Sequence, residues 1–462
     1  MIKIKISKGL NIPISGKPEG TVKPLILAGL SSQRTPSQLA LDLKPFAGIK
    51  FRLLVKPGDY VKIGQPLAED KDSPGRMFVA PAAGTVSEIR RGSKRVLEDI
   101  VINVAQNEDF QEFAPLDPIN ATREELTQRL MERGGFTHIR SRPFNLLADP
   151  HKPPRSIFVK AIESAPFTPP SEMQVAGLEK EFAAGLKILT KLCDGPVHLV
   201  YRKGSTCKAF TEAIEVQKHT ADGPHPVANT SLHIQKIDPI RSAEDIIWTL
   251  CALDVVAIGQ LVLNGRILNE RIISIAGPGV LPDRTGYFKI RNGSPIATLI
   301  SGRISRGNLR LISGDPLMGT KVTANDFLCF NDTVFTVIPE NTTREFLHFM
   351  GLGFHKYSFS KAYLSGHLNN KKREYAFTTN QHGEHRAFID SSLYDKVMPL
   401  DVPTMLLVKA IMAEDFELAE TLGILEVDSE DFALPTFVCP SKIEMTEIVK
   451  TGLKQYAKEL LS

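Results

Sequence analysis

Apolar and polar positions follow different patterns in successive parts of this chain of 462 residues. The first segment, Met1–Ile14, alternates lysine with isoleucine, which predicts a strand. Short alternating runs bounded by glycine turns lie between residues 51 and 104 and predict a small β-sandwich. Later, apolar strands alternate with amphipathic helices, and from Pro403 the sequence favours helix. The chain is too long for one ordinary core, so several domains of different class are expected.

A helix with clear boundaries is predicted before a distinctive loop. Thr122 and Glu125 have the spacing of a capping box, and Gly134–Gly135 end the helix. The segment Arg133–Phe144 then combines paired glycines, aromatic rings and arginines, and Pro143 prevents it from becoming helical. Backbone amides beside guanidinium groups favour contact with an anion or a cofactor. The alternative is a polar connector whose arginines are solvated.

An α/β region follows this loop. Strands are predicted at Ile157–Ile162 and Val197–Tyr201, with an amphipathic helix at Val175–Cys193 between them. This alternation favours a mostly parallel sheet with both faces covered. No G-x-G-x-x-G motif is present, so a Rossmann-like shape here would lack the dinucleotide fingerprint. The basic turn Arg202–Thr206 could hold a phosphate, although it lacks Walker spacing.

One apolar segment reaches the minimum length of a membrane helix. Ile246–Leu263 has 18 residues, but Asp254 lies at its centre, where a carboxylate is costly in lipid. We therefore predict a helix over 243–252, a strand over 253–258 and a hairpin through Asn264–Gly265.

A β-grasp module of the soluble-ligand-binding kind is predicted next. Its expected order is a strand at Arg271–Val280, a strand at Tyr287–Arg291, a short helix at Ile296–Ile300 and a strand at Leu309–Met318. The whole chain is then an α/β multidomain protein. Its predicted parts are a barrel-sandwich domain (1–110), a Rossmann-like α/β domain (111–258), a β-grasp domain (259–330), return strands and loops (331–400) and a helical domain (401–462).

Composition narrows the possible functions. The formal net charge of +4 is small for this length and favours no nucleic-acid partner. The N-terminus lacks the apolar core of a secretory signal. The odd number of dispersed cysteines favours a reducing cytoplasm, and no C-x-x-C pair is present. The histidines lack the spacing of a metal site, so no metal ligand is predicted. They include His219, His225, His233, His382 and His385.

Two segments resemble cofactor-bearing domains but lack the decisive residues. Lys56–Leu67 and Ala80–Val86 resemble the paired turns of biotinyl and lipoyl carrier domains. The expected attachment site, Lys71, has no flanking methionine, so no covalent cofactor is predicted. Near the C-terminus, Cys439-Pro440 resembles the last ligand of a ferredoxin-type cluster. Positions 429, 432 and 435 hold serine, phenylalanine and proline, so no cluster can form there.

Several motifs together give the chain a family resemblance. They are KRVLEDIVINV (94–104), RSRPF (140–144), DGPHP (222–226), SIAGPGV (274–280), RLISG (310–314), KVMPL (396–400) and TFVCPSKIE (436–444). Their order resembles the NqrA family of the sodium-translocating NADH:quinone oxidoreductase, which is related to the Rnf C subunit and to the flavin subunit of complex I. In the flavin-bearing relatives a G-G-A-G-F-P-T loop cradles the cofactor. The equivalent here, Gly134–Thr137, lacks the third glycine and the proline.

The resemblance implies a function and a location. It implies a peripheral subunit on the cytoplasmic face of the bacterial inner membrane, without a transmembrane helix. The complex oxidises NADH, reduces ubiquinone and exports sodium ions. The flavins and the iron–sulfur cluster would belong to partner subunits B to F, and this chain would hold no catalytic residue, redox cofactor or metal.

Ubiquinone is the ligand that the resemblance implies for this chain. The expected contacts are Phe136, Arg140, Arg142 and Phe144, together with the connector Asp42–Ile49. The aromatic rings could stack on the head group and the arginines could donate hydrogen bonds to its carbonyl oxygens. Two alternatives remain open. In a purely structural docking role the arginines could instead hold a joint between domains. An active flavin–iron–sulfur dehydrogenase is the third possibility, which the cysteine count disfavours.

Overall fold

The computed structural model describes residues 1–25, 36–46, 48–343, 350–368 and 373–461. Of the predicted connector Asp42–Ile49, Ala47 lies outside the described residues. The strands in the described parts are β1 (Lys3–Lys5), β2 (Lys23–Pro24), β3 (Gln38–Asp42), β4 (Phe51–Leu53), β5 (Tyr60–Val61), β6 (Pro66–Asp70), β7 (Met77–Val79), β8 (Gly84–Arg91), β9 (Leu97–Val104), β10 (Arg140–Arg142), β11 (Leu146–Leu147), β12 (Ser156–Ala161), β13 (Val197–Arg202), β14 (Gln217–Asp222), β15 (Ile247–Cys251), β16 (Glu270–Ala276), β17 (Gly286–Arg291), β18 (Leu309–Ser313), β19 (Thr320–Val322) and β20 (Val334–Pro339).

The α-helices follow the same order. They are α1 (Arg123–Glu132), α2 (Ser171–Val175), α3 (Glu179–Leu192), α4 (Lys208–Thr211), α5 (Thr230–Ile237), α6 (Ala252–Asn264), α7 (Ile296–Ile300), α8 (Thr404–Met412), α9 (Phe416–Thr421), α10 (Ala433–Val438) and α11 (Met445–Leu461). None of the described helices is long and apolar enough to cross a membrane.

The N-terminal barrel-sandwich consists of two antiparallel sheets packed face to face. Their strand orders are β3-β9-β8-β5 and β4-β6-β7, and apolar side chains such as Leu39, Phe78 and Ile100 fill the space between them. The first 25 residues do not belong to this unit, contrary to the predicted domain 1–110. Strand β1 pairs in parallel with β14 of the α/β sheet, and β2 pairs with β17 of the third sheet.

The central sheet has the order β1-β14-β13-β12-β15-β10-β11 in the described residues. Strands β12 to β15 are parallel, as the alternation of strands and helices predicts. The predicted loop through Arg140–Arg142 is instead strand β10, antiparallel to β15, with Ser141 opposite Trp248. That prediction was wrong because the pairing depends on a strand more than a hundred residues away, which local sequence does not reveal.

The order of helix and strand predicted over 243–258 was also wrong. Strand β15 comes first, and α6 follows, so the boundary predicted at residue 258 falls inside a helix. Asp254 starts α6, since its carboxylate accepts a hydrogen bond of 3.0 Å from the backbone amide of Cys251. Gly265 ends α6 with a φ of 62°, where a hairpin was predicted. Burial of the apolar face of α6 outweighs the β preference of Val255–Val256.

Close helix packing covers one face of the central sheet. The single helix predicted at Val175–Cys193 is divided at Gly177 into α2 and α3. Helix α3 crosses α6 at Gly185 and Gly259. A Cβ atom on Gly259 would lie 1.8 Å from the carbonyl oxygen of Glu181, so only glycine permits this approach.

The third sheet has the order β19-β18-β20-β16-β17-β2. The predicted order of strand, strand, short helix and strand is confirmed by β16, β17, α7 and β18. Strand β20 lies between β16 and β18 and is parallel to β16. The helices α8 to α11 pack on the central sheet through a core shared with Phe144, Phe158 and Leu232.

Two buried histidines join β13 to β14. His198 Nδ1 lies 3.1 Å from His219 Nε2, and His219 Nδ1 accepts a hydrogen bond of 3.2 Å from the amide of Ile2. The hydrogen of neutral His219 therefore lies on Nε2 and is donated to His198. Burial lowers the pKa of both rings to about 4. A proton added at either contact would break a hydrogen bond, so the folded state takes up protons at lower pH than the unfolded chain.

The histidine pair should make the fold sensitive to acid. Between about pH 6.5 and pH 4 the unfolded chain binds protons that these rings in the folded chain do not bind, so stability falls as the pH falls. We expect each ring to lower the free energy of unfolding by about 1–2 kcal/mol between pH 7 and pH 5. Urea denaturation at the two pH values measures this loss, which His219→Gln should reduce. The exposed His385→Gln is the control, and an equal loss in both variants would contradict the assignment.

Candidate functional site

The two phenylalanines predicted to stack on a quinone lie in different hydrophobic cores. Phe136 is fully buried against α1, α3 and α6, with its ring edge-on to Trp248 at 5.8 Å between ring centroids. Phe144 is 8% exposed and packs edge-on against Tyr456 of α11 at 5.9 Å. The structure therefore does not bring these two rings together around one ligand.

Arg142 lies in a buried joint between the central sheet and the C-terminal helices. Its side chain is 2% exposed, and Nη1 donates a hydrogen bond of 2.9 Å to Ser231 Oγ. The carboxylate of Asp428 lies 4.0 Å from the same nitrogen and accepts a hydrogen bond of 2.5 Å from Asn145. We call this group, with Asp431 and its partner Asn229 at 2.8 Å, the C-terminal joint.

Further buried charges surround the C-terminal joint. Burial, with the nearby charges of Asp431 and Asp428, raises the pKa of Glu430 to about 7. Lys160, at the carboxyl end of β12, lies 3.1 Å from Glu163 Oε2. Burial lowers the pKa of Lys160, but the carboxylates of Glu163 and Glu430 raise it overall. The joint is thus a network of opposite charges rather than an apolar contact.

Arg140 is the predicted residue that meets the predicted connector. Its guanidinium lies 5.1 Å from the centroid of the Phe46 ring, and Nη1 lies 3.5 Å from the carbonyl oxygen of Pro45. Burial lowers the pKa of Arg140, and the carboxylates of Asp254 and Asp428 partly offset this. The charge on this side chain is therefore held between the barrel-sandwich and the central sheet.

A cleft opens beside Gly134–Gly135, where the barrel-sandwich, the α/β region and the third sheet meet. It contains about 690 Å³ of empty space, part of it open to solvent. We call it the three-domain cleft. Its walls combine apolar side chains with a few polar ones. They are Ala40, Leu41, Asp42, Phe78, Val79, Pro81, Arg133, Gly134, Gly135, Thr137, His138, Ala257, Leu261, Ile267, Leu268, Arg271, Asn292, Gly293, Leu328 and Phe330.

His138 is the polar side chain of the cleft with the clearest orientation. Its Nδ1 lies 2.9 Å from Asp254 Oδ1, and its ring lies 5.6 Å from that of Phe330. Burial raises the pKa of Asp254, but hydrogen bonding and charge from His138 hold it below its usual value overall. The Asp254 carboxylate therefore fixes Nδ1 of His138 as a donor and directs the rest of the ring.

The opposite wall is held by hydrogen bonds between domains. The amide of Phe330 donates a bond of 2.8 Å to Asp42 Oδ2 of the barrel-sandwich. Arg271 donates to Asn292 Oδ1 at 2.7 Å and to the carbonyl oxygens of Phe330 and Asp332. Burial lowers the pKa of Arg271 and raises that of Asp332 to about 6.

The sequence did not identify this cleft. His138 lies within the predicted segment, but Arg271, Phe330 and Asp42 come from other domains, and no local motif marks them. Among the described residues, no group of three or more histidine, cysteine, aspartate or glutamate side chains could hold a metal ion. The basic turn Arg202–Thr206 follows β13, and Arg202 itself donates to the carbonyl oxygen of Glu163 at 2.6 Å.

The sequence matches three family models along most of its length. They describe an NqrA N-terminal barrel-sandwich hybrid domain (residues 4–105), an NqrA second alpha/beta domain (121–267) and an NQRA C-terminal domain (272–324). The corresponding subunit of the Na(+)-translocating NADH-quinone reductase of Chlamydia caviae is 36% identical over 99% of this chain and 97% of its own length. This chain belongs to the NqrA family.

Relatives from other bacteria agree with this assignment. The NqrA subunit of the Na(+)-translocating NADH-quinone reductase of Tolumonas auensis is 36% identical over 99% of this chain and its own full length. Among solved structures, a chain of NAD+-reducing [NiFe]-hydrogenase is 12% identical over 73% of this chain and 61% of its own length. With a TM-score of 0.36, this likeness is too weak to establish a shared fold. The NqrA models confirm the predicted barrel-sandwich and α/β regions.

The C-terminal joint predicts a large cost for losing Arg142. We expect Arg142→Met to lower the free energy of unfolding by about 2–4 kcal/mol, because Ser231 and Asp428 would lose a buried cationic partner. Urea denaturation measures the change. The exposed Arg306→Met is the matched control and should leave stability nearly unchanged. Equal stabilities of the two variants would show that Arg142 does not hold the joint.

Proposed function

We propose that this NqrA chain acts within a membrane complex that oxidises NADH, reduces ubiquinone and exports sodium ions. The match to the NqrA relatives over 99% of the chain carries this proposal. In the proposal, the chain binds at the cytoplasmic face of the membrane and contacts the other subunits, B to F. It contributes binding surfaces rather than a catalytic residue.

The chain is also proposed to work without a flavin of its own. The paired glycines that would need to lie open to a flavin are covered by the barrel-sandwich. Gly134 has a φ of 78°, and a Cβ atom on it would lie 3.0 Å from Val79 Cγ2 and 3.6 Å from the carbonyl oxygen of Met77. This cover, together with the missing third glycine, supports a Rossmann-like domain that has no room for a flavin against these amides.

A lost cluster site is proposed for the C-terminal helices in the same way. Cys439 is buried, and its sulfur lies 3.1 Å from the hydroxyl of Tyr394 and 3.4 Å from the amide of Ile443. The positions one, two and three steps before it in the ferredoxin pattern carry no ligand. A hydrogen-bonded thiol in a packed core supports a helical domain that keeps only the shape of a cluster domain.

Ubiquinone is the proposed ligand of the three-domain cleft. Phe78, Leu261 and Phe330 give the cleft apolar walls against which a flat ring can pack. His138 supplies a polar ring held by Asp254, which suits hydrogen bonding to a quinone oxygen. Arg140 and the connector lie at its side, whereas Phe136, Arg142 and Phe144 support the surrounding cores instead of touching the ligand.

A purely structural docking subunit is the second candidate. Its support is that Phe136, Arg142 and Phe144 are all buried in contacts within the chain. If this candidate is correct, these residues and the cleft stabilise the chain and its fit to other subunits, and no quinone binds.

Quinone titration of the purified chain by calorimetry separates the two candidates. We expect saturable binding, and His138→Ala should weaken it by about fivefold, since one hydrogen bond to the head group is worth roughly 1 kcal/mol. The exposed His385→Ala is the control. Normal assembly of the complex without any quinone binding to the chain would instead establish the docking subunit.

The absence of a flavin has its own test. The chain purified from a flavin-replete host should show no flavin absorbance. Addition of flavin mononucleotide should give no saturable quenching of flavin fluorescence, because Val79 occupies the space over Gly134. Tight binding that Gly134→Val abolishes would overturn this part of the proposal.

A further inference from the structure

An exposed apolar and basic surface lies far from the three-domain cleft. Met350, Leu352, Phe354 and Leu368 are exposed by 72%, 64%, 45% and 46%. They lie in one loop region, since the amide of Leu364 donates a hydrogen bond of 3.0 Å to the carbonyl oxygen of Leu352. We call these residues, with the neighbouring cations, the loop patch. Large apolar side chains with this exposure usually mark an interaction surface.

The loop patch is held firmly from beneath. Tyr357 packs against Tyr375, Phe377 and Phe437 with ring centroids 5.4 to 6.0 Å apart. Arg373 Nη1 donates a hydrogen bond of 2.9 Å to the carbonyl oxygen of Phe354. The aromatic cluster thus ties the loop to the C-terminal helices while the apolar side chains above it face outward.

The charged residues of this segment have a single sign. From Met350 to Arg373 the sequence contains no aspartate or glutamate. Lys356, Lys361 and Arg373 are the cations among its described residues. The next residue, Glu374, is paired with Lys17 at 2.7 Å. An apolar surface bordered by cations matches an anionic lipid surface, which offers phosphates for the cations and acyl chains for the apolar side chains.

We propose that the loop patch binds the surface of an anionic phospholipid membrane. In this arrangement Leu352 and Phe354 enter the region between head groups and acyl chains, and Lys356, Lys361 and Arg373 lie at the level of the phosphates. The inference rests on the proposed function in one respect, the location of the chain beside a membrane. Contact with lipid would orient the three-domain cleft relative to the membrane without help from another subunit.

Flotation of the full chain with vesicles tests the proposal. We expect binding to vesicles of phosphatidylcholine with phosphatidylglycerol, weaker binding to phosphatidylcholine alone, and loss of affinity as salt rises. Replacing both apolar residues, Leu352→Ser with Phe354→Ser, should reduce binding by about tenfold or more. Lys361→Gln should reduce it by about fivefold, and only on the anionic vesicles.

Matched controls come from exposed residues elsewhere. Ile214 is 77% exposed in the α/β region, so Ile214→Ser removes similar apolar surface, and Lys62→Gln removes a similar charge. Both should bind vesicles as the unaltered chain does. The substituted positions are all exposed, and equal urea midpoints would confirm that the variants fold.

Two outcomes would overturn the proposal. One is the absence of vesicle binding, or binding that the patch variants leave unchanged. The other is binding to the remaining subunits in detergent that the double variant abolishes while vesicle binding is absent, which would make the loop patch a protein interface. Because the vesicles contain neither quinone nor other subunits, failure here leaves the proposed function standing, and failure of quinone binding or assembly leaves the loop patch standing.

Discussion

The pairing of β10 with β15 is the interaction on which the arrangement of this chain depends. Three residues, Arg140 to Arg142, lie antiparallel to Ile247 to Thr249 at the side of the parallel sheet. This short ladder fixes the segment on both sides of it. Before the ladder, Phe136 enters the core beneath α6, and after it, Phe144 enters the core shared with the C-terminal helices. One backbone segment therefore joins two cores and leaves Gly134–Gly135 at the edge of the three-domain cleft.

Local signals predicted those parts of the fold that local interactions determine. The capping box of Thr122 and Glu125 is present as predicted, with both hydrogen bonds formed. The strands at 157–162 and 197–201 and the short helix at 296–300 were correct for the same reason. The segment after residue 246 failed because Cys251 is an unusual N-cap residue, and a run of apolar residues fits a buried helix as well as a buried strand.

The candidate site was only partly predictable. The segment Arg133–Phe144 was correctly singled out, yet it meets the cleft through Gly134, Thr137 and His138 rather than through Phe136 or Arg142. A cleft that needs Asp42 from one domain and Phe330 from another cannot be inferred from spacing along the chain. The C-terminal joint was open as an alternative, and the 2% exposure of Arg142 favours it. Such buried ionic networks are costly to break, so they fix geometry even where they add little net stability.

The barrel-sandwich shows how a carrier-like domain can serve as a fixed wall. A carrier must move its hairpin tip, but here Arg76 beside that tip is buried. Its Nη2 lies 2.5 Å from Asp70 Oδ2, and its Nη1 donates a hydrogen bond of 2.6 Å to the carbonyl oxygen of Ala148 in the α/β region. The next strand, β7, then places Val79 over Gly134. Since moving the tip would expose this buried ion pair, the same contact that immobilises the domain also closes the paired glycines and shapes the cleft beside them.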